Sequence, residues 1–305
     1  MRLVSFLDRA GTPSVGVVDG DVISDLGALL GPAPAAGTGL SPMRRLLART
    51  GGDLSSVREH VAAAPRLARS EVTLQPPVPD PTKIVAAPVN YTDHQHEMNE
   101  AVHVSGLGVF LKAPSSLVPS GGTVRLPYHD RRFDQEGELG VVIGRRARNV
   151  RAADALDVVA GYTNVLDMTL RGGEDRSVRK SFDTFTPCGP HLVTPDEVGP
   201  LDRLELRCAV NGVLRQHADV ADLIWDVPRL VEYVSSVMTL EPGDVLTTGT
   251  PAGVGEVRDG DEISTEVTHL GRLTVGVSGR GATACPTSGA GRGPVPPAEL
   301  TPLRR

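Results

Sequence analysis

Residues 134–144 read DQEGELGVVIG, a pair of carboxylates followed by an apolar run that favours a β-strand. Glu136 and Glu138 are two positions apart, so in a strand both side chains point to the same face. Carboxylates on one face repel each other unless a cation or a proton lies between them. A lone Glu-x-Glu also occurs on solvent-facing edge strands, so the rest of the chain has to decide between a site and an exposed pair.

Asp167 supplies a third carboxylate, within residues 165–169, which have the composition of a strand end. A set of carboxylates without Cys or His matches a divalent ion that prefers oxygen ligands. We therefore expect Mg²⁺ or Mn²⁺, rather than Zn²⁺, at Glu136, Glu138 and Asp167.

The composition restricts the partners and the location. The 305 residues include 31 basic and 37 acidic ones, a net charge of −6 without a long basic run, which argues against nucleic acid. No apolar run reaches the roughly 18 residues that span a membrane, so we expect no membrane partner. The first residues are too charged for a signal peptide, and Cys188, Cys208 and Cys285 form neither a zinc motif nor a disulfide framework. A cytoplasmic protein is expected.

Proline punctuates the chain and predicts its organisation. Residues 1–75 combine hairpin-like strands with a helical segment and are predicted to form a small N-terminal α/β module. Residues 76–82 (PPVPDPT) are a stiff linker. Residues 83–278 are predicted to form the catalytic domain, and residues 279–305 have the composition of a disordered tail.

Several polar residues outside the carboxylate set are candidates for chemistry. His94 and Glu97 are three positions apart, which places them side by side on a helical turn, where the carboxylate orients the imidazole as a general base requires. The alternative is a solvated polar turn. Lys180 either binds the anionic end of a substrate or belongs to a surface ion-pair network. Thr250, in a Gly-rich loop without the Gly-Lys-Ser/Thr of a nucleotide site, is placed to hold a carboxylate.

Taken in order, these motifs resemble the fumarylacetoacetate hydrolase family over about residues 82–278. The segments that carry the resemblance are NYTDHQHE (90–97), FLKAPSSL (110–117), DQEGELGVVIG (134–144), GYTNVLDMTLR (161–171), KSFDTFTPCGP (180–190), NG (211–212) and TTGTPAGVG (247–255). The resemblance implies an α+β, β-rich fold, with a mixed β-sandwich or β-roll as the catalytic domain, and a homodimer. It also implies that Glu136, Glu138 and Asp167 hold Mg²⁺ or Mn²⁺.

The resemblance further implies roles for the other candidates. His94 and Glu97 would lie on a flexible lid and act in catalysis with Lys180, while Arg171 and Thr250 would bind the substrate. Lys112, a lysine in an apolar segment, is added to the substrate-binding set. The chain departs from the family around Arg171, since residues 172–174 read Gly-Gly-Glu where relatives often have Asp and then Gln. Residues 172–179 are therefore expected to form a variant loop beside the site.

The resulting hypothesis is divalent-metal-dependent cleavage of a small 2-oxo acid. Because both His94 and Glu97 are present, hydrolysis of the C–C bond of an acylpyruvate-type β-diketo acid is the leading reaction. Decarboxylation of a β-keto dicarboxylate such as oxaloacetate, and keto–enol or double-bond isomerisation, are the alternatives. A non-catalytic metal-binding protein of the same fold is the alternative from another class, and the full set of polar residues argues against it.

Overall fold

The computed structural model of the chain describes residues 1–31 and 39–303. Strands dominate the described part. They are β1 (Arg2–Leu7), β2 (Pro13–Asp19), β3 (Val22–Asp25), β4 (Arg66–Ala68), β5 (Thr73–Leu74), β6 (Ile84–Ala86), β7 (Phe110–Lys112), β8 (Leu117–Pro119), β9 (Thr123–Arg125), β10 (Phe133–Gln135), β11 (Gly137–Ile143), β12 (Val159–Leu166), β13 (Thr169–Leu170), β14 (Thr186–Val193), β15 (Glu205–Val210), β16 (Val213–Asp219), β17 (Val245–Thr247), β18 (Gly255–Glu256), β19 (Glu262–Val267) and β20 (Arg272–Ser278).

The helices are short and lie at the edges of the sheets. They are α1 (Pro42–Thr50), α2 (Arg58–Val61), α3 (Thr92–Glu97), α4 (Val104–Leu107), α5 (Arg176–Arg179), α6 (Pro195–Val198) and α7 (Val227–Val237). The longest, α7, begins at a cap, because the Asp226 carboxylate accepts the Arg229 N–H at 2.9 Å. None of the helices in the described ranges is long and apolar enough to cross a membrane.

One large mixed sheet forms the centre of the molecule, in the order β4-β3-β2-β1-β14-β12-β11-β17-β6-β7, with β5 added to β1 and β8 to β14. β1 pairs with β14 in antiparallel register, with Arg2 opposite Val193. The strands of the predicted N-terminal module therefore continue the sheet that carries the central carboxylates. The domain boundaries drawn from the proline pattern stay a prediction.

A second sheet, β16-β15-β19-β20-β9, packs against the first. β15 and β19 alternate buried with more exposed residues, as expected when one face of a sheet is covered. Leu139 and Val141 of the large sheet share one apolar cluster with Leu206 and Val267 of the second sheet. This layered, strand-rich architecture confirms the predicted α+β, β-rich fold with a β-sandwich core.

The site lies where two neighbouring, antiparallel chain segments cross between the large sheet and a small one. A small sheet, β13-β10-β18, adjoins the large one, and Glu136 is the single residue between β10 and β11. Asp167 follows β12 in the same way before the chain enters β13. Gly137 permits the close packing at this junction, since a Cβ there would lie 2.9 Å from Thr265 Oγ1 and 3.0 Å from Cys208 Cβ.

Residues 279–303 run as turns and irregular backbone along the surface of the small sheet. Tyr128 forms an isolated parallel bridge with Thr283, and the Asp130 carboxylate accepts the Cys285 N–H at 2.9 Å. The disorder proposed for residues 279–305 from composition stays a prediction, and residues 304–305 lie outside the described part of the chain.

Candidate active site

The central feature is a cluster of buried carboxylates. Glu136, Glu138 and Asp167 are all buried, and each offers an oxygen atom within 4.8 Å of the oxygens offered by the other two. This is the set that the sequence pattern placed together. The extended backbone from Glu136 into β11 brings Glu136 and Glu138 together, and Asp167, at the end of the antiparallel neighbour β12, completes the cluster.

Glu136 and Asp167 are neutralised by lysine and arginine side chains. Lys180 Nζ donates to Glu136 Oε2 at 2.7 Å and also to Asp167 Oδ2, so one ammonium group bridges the two carboxylates. Arg171 Nη2 donates to Glu136 Oε1 at 2.8 Å. Burial opposes ionisation of Glu136, but Lys180 and Arg171 outweigh it and hold the pKa of Glu136 well below its usual value.

Glu138 is in a different environment. It forms no ion pair among the described residues, and its Oε2 accepts the Gly249 N–H at 2.8 Å. Burial, followed by the negative charge of Asp167, raises the pKa of Glu138 to about 8. The cluster therefore lacks one positive charge beside Glu138. An oxygen-only donor set with this deficit fits a divalent cation of the Mg²⁺ or Mn²⁺ type.

Arg171 is fixed by a second carboxylate that the sequence interpretation did not single out. Its Nε donates to Asp134 Oδ2 at 2.7 Å, and Asp134 also accepts Arg132 Nε at 2.7 Å. Asp134 and Glu136 raise the pKa of Arg171 against the opposing effect of burial. Asp134 precedes Glu136 by two positions, so continuation of the same strand alternation is the signal that could have revealed it.

His94 and Glu97 lie on helix α3 and are in contact, as their spacing predicted. His94 Nδ1 is 3.0 Å from Glu97 Oε2, and the Gly253 N–H donates to Glu97 Oε1 at 2.8 Å. With Nδ1–H assigned as the donor to Glu97, Nε2 is the ring nitrogen able to accept a proton. His94 is buried and lines the same cavity as the carboxylates.

Thr250 and Lys112 differ in their access to that cavity. The Thr250 hydroxyl lines the cavity, donates to the Gly137 carbonyl at 2.9 Å and accepts Gln216 Nε2 at 2.7 Å. Lys112 lies below the carboxylates and is absent from the cavity wall. Its Nζ donates to Asp167 Oδ1 and, at 2.9 Å, to the Phe185 carbonyl. Burial lowers the pKa of Lys112, against the opposing effect of Asp167.

The cavity in this conformation has a volume of about 40 Å³. That is far below the roughly 300 Å³ of a typical small-molecule site, so helix α3 is closed over the carboxylates. The wall includes residues that the sequence interpretation did not name. They are Ala87, Pro88, Val89, Met98, Glu100, Phe110 and Arg176. Residues 172–179 were predicted to form a loop, but only the first part does, because residues 176–179 form helix α5. Arg176, the first residue of α5, pairs with Glu100 at 3.5 Å.

Comparison with known families matches the fumarylacetoacetate (FAA) hydrolase C-terminal family to residues 83–278. The chain belongs to this family. A maleylpyruvate hydrolase of Aquipseudomonas alcaligenes is 43% identical over 274 residues, which cover 86% of this chain and 96% of that protein. An oxaloacetate tautomerase of Xenopus laevis is 34% identical over 290 residues, covering 90% of this chain and 89% of that protein.

Solved structures give the same result. A maleylpyruvate hydrolase from Sphingobium sp. SYK-6 superposes with a TM-score of 0.80 at 39% identity, covering 92% of this chain and all of that one. The same protein in complex with manganese(II) ion and pyruvate also superposes with a TM-score of 0.80, at 38% identity and with 92% and 99% of the two chains covered. Membership of the family confirms the predicted resemblance and the predicted enzyme class, a C–C bond hydrolase or lyase of this family.

Proposed function

We propose that the chain hydrolyses a maleylpyruvate-type 2,4-dioxo acid to pyruvate and a second carboxylic acid. The observation that carries this proposal is the placement of His94, in contact with Glu97 behind it, in the wall of the cavity that contains the three carboxylates. A hydrolase needs a base for water next to the group that stabilises the leaving enolate, and this cavity offers both. One relative and one protein of solved structure, both covered almost completely by this chain, carry the name maleylpyruvate hydrolase.

Substrate binding follows from the charges around the cavity. When bound by Glu136, Glu138 and Asp167, a divalent ion supplies Lewis-acid polarisation of the 2-oxo group and the adjacent carboxylate. Lys180, whose ammonium group is at the cavity wall, stabilises negative charge on the pyruvate enolate. Arg171 fixes Glu136. The Thr250 hydroxyl lines the cavity and can donate to the substrate carboxylate when it gives up its hydrogen bond to the Gly137 carbonyl. Lys112 contacts Asp167 alone among the three carboxylates, so we assign it to positioning that ligand rather than to the substrate.

The water step uses the lid. His94 Nε2 accepts a proton from a water molecule as its oxygen attacks the C4 carbonyl carbon, and Glu97 stabilises the imidazolium that forms. The C3–C4 bond then breaks, its electron pair forms the enolate of pyruvate, and C4 becomes the carboxyl carbon of the second product. A proton delivered to C3 completes pyruvate. The imidazolium of His94 is a suitable donor because it holds the proton taken from water.

Arg176 adds a reason to favour a substrate with a second carboxylate. It lines the cavity, is only partly buried, and its ion pair with Glu100 is long at 3.5 Å. Maleylpyruvate carries a carboxylate at the end remote from its 2-oxo acid, and an arginine fork is suited to such a group. We assign Arg176 to this remote carboxylate.

Tautomerisation of oxaloacetate is a second candidate, favoured by the oxaloacetate tautomerase relative. Product analysis with Mn²⁺ or Mg²⁺ on maleylpyruvate, acetylpyruvate and oxaloacetate separates the candidates. Maleate and pyruvate from the first substrate support the proposal. Interconversion of oxaloacetate tautomers, without cleavage of either dioxo acid, contradicts it and supports the second candidate.

The setting of the enzyme is also a proposal. We infer a cytoplasmic homodimer. The three cysteines are free thiols, which supports a reducing compartment, and the dimer is inferred from the family resemblance. Light scattering after size-exclusion chromatography tests the dimer, since a single species of about 32 kDa would contradict it.

A further inference from the structure

Residues 285–303, which we call the strap, lie beyond the region matched by the family and touch both loops that border the cavity. The first contact is with the loop that follows Arg171. The Gly173 N–H donates to the Gly289 carbonyl at 3.1 Å, and the Thr287 hydroxyl donates to the Glu174 carboxylate. This end of the strap is therefore held to the loop that leads into helix α5 and Arg176.

An arginine reinforces that contact. Arg131 donates to both Glu174 oxygens at 2.9 Å, and its Nη2 also donates to the Arg171 carbonyl at 3.1 Å. Thr287 completes the cluster, since Arg131 Nη1 lies 3.1 Å from its hydroxyl. The Arg131–Glu174 pair is nearly buried, with side chains 2% and 11% exposed. A bidentate pair in such a position gives the strap a defined anchor.

The second contact is with the lid. The Thr301 hydroxyl donates to Glu97 Oε1, the oxygen that also accepts the Gly253 N–H. The other oxygen of Glu97 is the one that contacts His94. Although α3 lies on the surface, the Glu97 side chain is only 1% exposed. Thr301 and the residues after it lie against the outer side of Glu97, where they line a cavity of about 300 Å³.

We propose that the strap is a positioning element that holds the lid closed, with the Thr301 hydroxyl fixing Glu97 and, through it, the catalytic imidazole of His94. Glu97 Oε2 contacts His94, and Oε1 accepts the Gly253 N–H. Thr301 supplies a second donor to Oε1. Without the Thr301 hydroxyl, Glu97 keeps one partner on each oxygen, so its orientation and that of His94 are less tightly defined. The role of Glu97 in this inference rests on the proposed function, but the closing of the lid does not.

The test compares three variants of the full chain. Thr301→Val removes the hydroxyl and keeps nearly the same side-chain shape, whereas Thr301→Ser keeps the hydroxyl. Thr283→Val makes the same change in the preceding stretch, where Thr283 contacts its neighbours through backbone groups. Hydrogen exchange of the metal-free protein reports lid opening at the amides of Met98 and Glu100, which bond to the His94 and Gln95 carbonyls.

Thr301→Val is expected to speed exchange of these amides about tenfold or more, as loss of a hydrogen bond to a charged group implies. With maleylpyruvate as the substrate, the kcat of Thr301→Val should fall about tenfold with little change in KM. Thr301→Ser should retain most of the protection and of kcat, and Thr283→Val should match the parent protein. Unchanged exchange in Thr301→Val, or equal impairment by valine and serine, overturns the proposal. Because exchange is measured without substrate, absence of turnover contradicts the proposed function but leaves the strap tested.

Discussion

The backbone N–H of Asp167 donates to the carbonyl of Glu136 at 2.8 Å, at the point where both segments pass from the large sheet to the small one. This main-chain hydrogen bond therefore fixes the backbone positions of Glu136 and Asp167, two of the three clustered carboxylates, relative to each other. A lysine below the cluster and a lysine in the cavity wall then hold Asp167 from two sides. The geometry of the site is a consequence of how the two sheets join.

Replacing Asp167 by Asn should destabilise the metal-free protein. The change leaves the buried ammonium group of Lys112 without its carboxylate partner, and removing one member of a buried ion pair costs about 3 kcal/mol or more. Urea unfolding in the presence of a chelator measures this loss. A variant with the stability of the parent protein would show that Asp167 does not hold Lys112 in solution.

Glu138→Gln should behave differently. Glu138 has no ion-pair partner among the described residues, and burial of its charge is unfavourable, so the metal-free variant should be at least as stable as the parent protein. Its affinity for Mn²⁺ should fall roughly 100-fold, because a charged ligand is lost. Calorimetric titration and unfolding with chelator measure the two quantities. Unaltered Mn²⁺ affinity would remove Glu138 from the ligand set.

The lid pair should affect turnover without affecting metal affinity. His94→Asn is expected to lower kcat about 10²- to 10⁴-fold, as removal of a general base does, and Glu97→Gln to lower it less. Neither residue belongs to the carboxylate cluster, so Mn²⁺ binding should match that of the parent protein. Full activity of His94→Asn on an acylpyruvate would exclude His94 as the base.

Arg176→Gln should change specificity. If its guanidinium holds a remote carboxylate, KM for maleylpyruvate should rise about tenfold or more, while KM for acetylpyruvate, which has no such group, should hardly change. Steady-state kinetics with both substrates, at saturating Mn²⁺, give the ratio. Equal losses on both substrates would point to a general role of Arg176 in the cavity wall.

His191 should make stability depend on pH. It is buried in β14, and burial, followed by the positive charges of Arg69 and Arg2, lowers the pKa of His191 from 6.5 to about 4. Since the unfolded chain binds the proton more readily, stability is full above pH 6.5 and is lost as pH falls towards 4. The expected slope is up to about 1.4 kcal/mol per pH unit. His191→Gln should remove this part of the slope, and His129→Gln, at an exposed position, should keep it.

The sequence predicted those features that depend on spacing within one element. Alternation in a strand brought Glu136 and Glu138 to one face, and helical spacing paired His94 with Glu97. The position of Lys112 was beyond such reasoning, because whether a lysine lies in the cavity or beneath it depends on how β7 packs against distant segments. Gln216 supports Thr250 from another sheet, and no local pattern marks that contact.

The composition of the stretch after residue 278 predicted a disordered tail, because a segment rich in Gly and Pro buries little apolar surface, and that stays a prediction. The contacts of Thr287 and Thr301 with Glu174 and Glu97 are polar and specific to single side chains, so composition carries no information about them. The substrate was equally out of reach, since Arg176 enters the cavity from a segment in which the chain departs from its family.

The most direct test of the central claim is a reaction of maleylpyruvate with the Mn²⁺-loaded protein in ¹⁸O-labelled water. Hydrolysis predicts equal amounts of maleate and pyruvate, with a solvent oxygen in the new carboxylate of maleate and no turnover in the presence of a chelator. Conversion of the substrate only to a tautomer or isomer, without release of pyruvate, would show that the protein does not hydrolyse the C3–C4 bond.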